Sequence, residues 1–273
     1  MPPCPRAYED GDIRNVQLFS WIEEAAMIGA RIVVGVDGSP GSRAAVQWAA
    51  AEALMRGAEL RVLTAYHRPE TGAATSAILH AAVTHARTVA PGVEVSCVAQ
   101  AGYAVPVLLH AAEVADMLVV GCRRGGGLPG APHGTVGNQV ATHARCCVVV
   151  VRGRAAPDTG PVVAGVGDGA ADGAVLGRAF EEAALRHAEV LAVTPQDRGL
   201  ADSLATWRDK FPEVPAECEV ADGDPGKVLV DRSRRARLVT VGPRRHGFEG
   251  VMLGAIGGRL VDHADCPVLV ARP

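Results

Sequence analysis

Aromatic residues make up only 4% of this 273-residue chain, and lysine is almost missing, with 2 against 25 arginines. The arginine excess reflects codon usage more than chemistry, and a net charge of −3 speaks against a nucleic-acid surface. No apolar run reaches the length of a membrane span, and the N-terminus lacks an apolar signal core, so a cytoplasmic protein without a membrane partner is expected. No CxxC pair, zinc-ligand spacing or Ser-His-Asp arrangement is present, which removes the usual redox, metal and hydrolase readings.

The seven cysteines (Cys4, Cys97, Cys122, Cys146, Cys147, Cys218, Cys266) read as small apolar core residues in a reducing compartment. Cys122 stands apart because it lies in a glycine-rich loop. Residues 1–29 carry five acids against two arginines and read as a loose arm with one short helix around Val16–Ala26. Met27, just before the first apolar run, is an alternative start of translation.

What the chain does have is a repeat. Arg31-Ile-Val-Val-Gly-Val-Asp37-Gly-Ser39 returns as Pro161-Val-Val-Ala-Gly-Val-Gly167-Asp-Gly169, and His143-Ala-Arg-Cys146 returns as His263-Ala-Asp-Cys266. The lag is 130 residues at Val36 and Val166, 121 at Gly121 and Gly242, and 120 at Arg152 and Arg272. Two domains, 30–152 and 161–273, are expected to follow the arm, joined by a linker at 153–160. The first copy carries +3 and the second −3, which fits an anionic ligand on the first or attraction between the two.

Each copy alternates short β-branched runs with alanine-rich helical segments, a β-α order that predicts a parallel sheet covered on both faces. In the first copy strands are expected near Ile32–Val36, Leu60–Tyr66, Val93–Ala99, Met117–Val120 and Cys147–Val151. In the second they fall near Val162–Val166, Glu189–Thr194, Val214–Val220, Leu238–Val241 and Pro267–Ala271. Ser42 reads as the cap of the first helix and Gly57 as its stop.

In such sheets a ligand settles beyond the carboxyl ends of the strands where the winding reverses. Those ends carry Asp37-Gly38-Ser39 and Gly121-Cys-Arg123-Arg124-Gly125. Downstream, Gly134-Thr135 opens a helix whose unpaired N–H groups and dipole favour a phosphate, with Val136 next in that turn. Asp37 is placed to accept from a ribose hydroxyl or to hold Mg beside the phosphates.

These segments resemble the universal stress protein family in its tandem-domain form, from Arg31 to Arg272. The resemblance implies an α/β chain of two flavodoxin-like (adenine nucleotide alpha hydrolase-like) domains, each a five-stranded parallel sheet with helices on both faces. It also implies, in the ATP-binding branch, a motif of Gly, two residues, Gly, nine residues, then Gly-Ser or Gly-Thr. Gly121 and Gly134-Thr135 match that motif, Asp37 matches the strand-end acid, and Ala65 lies near the position that packs against adenine. The second motif glycine is Arg124, whose Cβ obstructs a close backbone approach; Gly125 could stand in, and Arg123 and Arg124 could pair with phosphate oxygens. His133 reads as a solvated loop residue.

The second copy departs further, with Gly167 for the Asp, Asp168 displaced by one, Arg245 for the second glycine, and Gly254-Ala255 lacking the hydroxyl. It is expected to have lost nucleotide and to serve as structure. In the family the last strands of two domains pair, so Val148–Val151 should lie beside Val268–Ala271, making an internal pseudo-dimer able to dimerise again. The leading expectation is a non-enzymatic stress-response protein that binds ATP in domain 1 as a sensor or regulator. Any hydrolysis would be slow and metal-dependent. A nucleotide-independent interaction module is the second reading, and an adenylate-handling enzyme the third.

Overall fold

The computed structural model describes residues 31–67, 72–122, 136–167, 172–196, 200–245 and 251–272. The expected arm at 1–29, with its helix at Val16–Ala26, lies outside them. The first half runs β1 (Arg31–Gly35), α1 (Pro40–Arg56), β2 (Glu59–Tyr66), α2 (Gly72–Val89), β3 (Val95–Ala101), α3 (Ala104–Ala111), β4 (Met117–Gly121), α4 (Val136–His143) and β5 (Cys147–Val151). The second runs β6 (Val162–Gly165), α5 (Asp172–Leu185), β7 (Val190–Thr194), α6 (Leu200–Lys210), β8 (Ala216–Val220), α7 (Pro225–Ser233), β9 (Leu238–Val241), β10 (Arg244–Arg245), β11 (Val251–Met252), α8 (Gly254–His263) and β12 (Val268–Val270).

Ten strands form one sheet in the order β3-β2-β1-β4-β5-β12-β9-β6-β7-β8. Each half is parallel, as continuous apolar strands require, and the halves meet in an antiparallel seam pairing Val148 with Val270, Val149 with Leu269, and Val150 with Val268. Side chains alternate between the faces. Val149 and Val151 join Trp48 and Phe180 under α1, α2, α5 and α6, while Val148 and Val150 join Leu108, Val140, Leu229 and Leu260 under α3, α4, α7 and α8.

The first helix begins earlier than its sequence implies. Ser39, not Ser42, is the cap, accepting from Ser42 N at 3.2 Å, and Pro40 fills the first position, where a missing N–H costs nothing. Ser42 sits in the first turn and donates its hydroxyl to Ser39 O at 2.9 Å. Gly57 ends the helix at φ 62°, as expected, donating to the carbonyls of Ala53 and Leu54. The cysteine expectation needs correcting. Cys147 and Cys266 are buried, but Cys97 and Cys218 are exposed on the outer strands β3 and β8, where one face of the strand meets water.

Two reciprocal devices bind the halves. On one face Glu52 and Arg56 of α1 meet Glu182 of α5 and Arg186, which directly follows that helix, with both glutamates wholly buried. Arg56 donates to Glu52 and Glu182, each at 2.5 Å, and Arg186 donates to both glutamates and lies over the Trp48 ring. On the other face, the arginine after each half's last strand caps the other half's last helix. Arg152 donates to Val261 O and Ala264 O, each at 2.9 Å, at the end of α8. Arg272 donates to Ala141 O at 2.6 Å, Thr142 O at 2.9 Å and Ala144 O at 3.0 Å, at the end of α4. A cation there offsets the negative pole of the helix.

Candidate nucleotide site

Because β1 and β4 are neighbours, with Gly35 opposite Val120, their carboxyl ends bring Asp37-Gly38 and Gly121 to one place on the sheet edge. Asp37 is exposed at the tip of β1, and its Oδ1 accepts from Ser39 N at 3.0 Å. Gly38 takes φ 78°, and a Cβ there would come 3.1 Å from Ile78 Cγ1 of α2. The turn is therefore tight and carries its carboxylate at the mouth of the crevice.

Gly121 has a second reason to be glycine. A Cβ on it would stand 2.1 Å from Gly41 O, and a Cβ on Gly41 would stand 2.5 Å from Cys122 O. The N-terminus of α1 thus presses backbone to backbone on the exit of β4, which only two glycines allow. Ala65 lies one strand out on β2, opposite Gln100, and packs half-buried on the α3–α4 side. Val136 is exposed and is the first residue of α4. Arg123, Arg124, Gly125, His133, Gly134 and Thr135 lie outside the described residues.

The start of the glycine loop is pinned across the seam. Cys122 N donates to Val151 O at 2.9 Å, and Arg152 Nη1 donates to Cys122 Sγ at 3.4 Å and to Val261 O of α8 at 2.9 Å. Beyond the loop, Asn138 of α4 donates to Asp262 of α8 at 3.4 Å, and Arg272 caps the far end of α4. Both flanks of the loop therefore lean on the second half. Neither support was read from sequence, although the matched positions of Arg152 and Arg272 in the repeat were visible.

A further group escaped sequence reading. His67 and Tyr103 stack at the ends of β2 and β3, with centroids 5.7 Å apart and planes 17° from parallel, and Tyr103 is 73% exposed. The available signal was Tyr66-His67 and Gly102-Tyr103 closing two adjacent strands.

The second half keeps the sheet and changes the tips. At β6 the tip is Gly167, whose N–H donates at 3.2 Å to Asp172 Oδ1 in the first turn of α5; Asp168 lies outside the described residues. The segment after β9 folds into the β10–β11 hairpin, with Arg245 opposite Val251, an element the sequence reading did not include. Helix α8 starts at Gly254 with φ 70°, and the preceding Leu253 offers no side-chain acceptor. A cleft of about 230 Å³ opens at the ends of β6 and β7, lined by Asp172, Thr194, Gln196, Ser203 and Trp207 among others. Its described lining holds no arginine or lysine to meet a phosphate.

The described residues hold no cluster of three or more His, Cys, Asp or Glu, so no ready-made carboxylate cage surrounds Asp37 among them. That suits a cation carried mainly by phosphates. The described helices include none long and apolar enough to cross a membrane.

Residues 30–152 and 196–272 match the universal stress protein family. The gap between them, 153–195, includes β6, α5 and β7, so the second copy departs from the family pattern where its crevice lies. Universal stress protein Rv2623 of Mycobacterium tuberculosis H37Rv is 31% identical over 291 residues, covering 88% of this chain and 96% of that protein. Universal stress protein Mb2019 of Mycobacterium bovis is 30% identical over 301 residues, covering 88% and 94%. A crystal structure of a universal stress protein from Archaeoglobus fulgidus DSM 4304 has the same fold, with a TM-score of 0.73 at 16% identity over 89% of this chain and 98% of that one.

Proposed function

The chain belongs to the universal stress protein family, and from that premise we propose that domain 1 binds one ATP while domain 2 braces it. The observation that carries this reading is the convergence of Asp37 and Gly121 on adjacent strand ends, ahead of a motif closed by Gly134-Thr135. The phosphates take the glycine loop and the start of α4, with Thr135, Val136, Arg123 and Arg124 at hand. Asp37 accepts from the ribose or holds Mg, and the adenine lies toward Ala65 on β2.

The ATP is held rather than turned over. With Asp37 as the acid at the strand ends, any hydrolysis is slow and metal-dependent. The protein then acts as a cytoplasmic sensor or regulator in the stress response, as a pseudo-dimer within one chain that can pair again as a homodimer.

Release of bound nucleotide by denaturation, with native mass spectrometry to count sites, tests the reading. One adenine nucleotide per chain is the expected result, and two would refute the assignment of domain 2. None, with no titratable ATP binding in the presence of magnesium, would favour the interaction module. Arg124 in the second glycine position favours that second reading, and gain of binding on Arg124→Gly would establish it.

A further inference from the structure

The amino ends of β4 and β5 face away from the nucleotide crevice. β4 is five residues long, so this end lies about 16 Å from Gly121. Here Asp116 precedes β4, and Arg145 and Cys146 precede β5. Since β12 runs antiparallel to β5, Arg272 arrives at the same end, and Arg178 reaches in from α5. Together they line a cleft of about 200 Å³ shared by both domains.

Arg272 is the unusual member. It is 8% exposed, and its Nε and Nη2 donate only to carbonyls of α4 and the residues that follow it. Its Nη1 has no partner among the described residues, nor does any described carboxylate pair with it. Burial pushes its pKa below the ordinary arginine value, the mark of a cation short of countercharge. A buried, unmet donor is destabilising, and an anion bound in the cleft would supply the countercharge that this guanidinium lacks.

The other charges around the cleft are placed to leave room for one. Arg178 is half-buried and shares one bond, at 2.7 Å, with Glu181. Arg145 is exposed. Two acids also line the cleft. Asp116 accepts from Arg31 N at 2.7 Å, and Glu113 lies 3.5 Å from His110. Burial pushes the Cys146 thiol up to about 12, so it stays neutral and adds no anion of its own. Three guanidiniums from two domains thus converge on a small space.

We propose that this cleft is a binding site for a small oxyanion, inorganic phosphate or a compact carboxylate, held by Arg145, Arg178 and Arg272 across the domain seam. Planar guanidiniums suit this chemistry because each offers paired donors to two oxygens. Because the ligand touches both halves, occupancy raises the stability of the whole chain by mass action. The site is independent of the nucleotide reading.

The test is titration of the full-length protein with sodium phosphate, and separately with sodium acetate, at constant ionic strength in chloride. Saturating ATP and magnesium are included so that any binding at the glycine loop is filled. Calorimetry and the thermal midpoint are read for the parent protein, Arg178→Ala and Arg145→Ala, neither of which disturbs a helix cap. The expected result is a saturable response to one of the two anions that weakens about tenfold or more in each variant, the loss of one charge-assisted hydrogen bond. Response to phosphate alone assigns a tetrahedral oxyanion, and response to acetate assigns a carboxylate. No response to either anion, or one unchanged in both variants, overturns the proposal.

Discussion

The two halves share a sheet order and differ at the tips of their strands. What is retained in both copies is reciprocal: Glu52 and Glu182, Arg56 and Arg186, Arg152 and Arg272. Each of these residues serves the opposite half, so losing one weakens the join between the two. What has diverged serves a ligand: Asp37 against Gly167, and Gly134-Thr135 against Gly254-Ala255. A duplicated domain can therefore abandon a binding site while keeping the architecture that steadies the copy beside it. The +3 and −3 charges of the copies have no part in this, since the buried ion pairs cross the seam once in each direction.

The sharpest way to break the comparison is through the buried quartet. Removing one partner leaves a charge uncompensated, so Arg186→Ala or Glu182→Ala should each cost about 3–5 kcal/mol by denaturant unfolding. Because the pairing is reciprocal, Arg56→Ala and Glu52→Ala should fall in the same range. Replacing all four by apolar residues of similar volume should cost much less than any single deletion. Next come the crossed caps. Arg152→Ala and Arg272→Ala should each lose about 1–3 kcal/mol, and Arg152→Ala should weaken ATP more, because Arg152 donates to Cys122 at the start of the loop.

Nucleotide affinity sharpens the other side of the comparison. Asp37→Ala should weaken ATP about tenfold by equilibrium titration with only a small fall in the thermal midpoint without ligand, from loss of the exposed hydrogen bond to Ser39 N. Gly167→Asp should leave stoichiometry at one, since the cleft of domain 2 still lacks cations among its described lining. The smallest effect concerns pH. Burial, with Glu52 beside it, holds the Glu182 carboxyl well above its ordinary value of 4.5, to about 7. A raised folded-state value means the native protein holds the proton more tightly than the unfolded chain. Stability from this group is thus present below pH 4.5 and declines as pH rises toward 7. Glu182→Gln should flatten that slope in a series of melts from pH 5 to 8.

Much of the fold was legible because hydrophobic runs report their own burial. Most strand ends fell within one or two residues of expectation, and the last strands of the halves do pair. Misjudging Ser42 as the cap was a local failure. Ser39 and Ser42 are both good acceptors, and only Pro40 fixes the helix start between them. The quartet was illegible for a different reason. Glu52 and Arg56, spaced as neighbours on one helix, look like a solvated pair, and nothing local says a second helix will bury them. The signal lay in the repeat, since Glu182 and Arg186 follow at the 130-residue lag of the first strand. Of the binding residues, Asp37, Gly38, Ala65, Gly121 and Val136 fall among the described residues. The packing role of Gly121 was hidden because close backbone contact leaves the same mark as a phosphate.

The seam also sets a clock on synthesis. β5 is Cys-Val-Val-Val-Val, buried throughout, and its neighbour β12 starts at Val268, 117 residues after Val151. At about 5–20 residues per second, the ribosome leaves that valine edge unmatched for roughly 6–23 s. During that interval the nascent first half presents the kind of bare strand on which other chains assemble. Depletion of chaperones that hold emerging chains should therefore lower the yield of folded full-length protein.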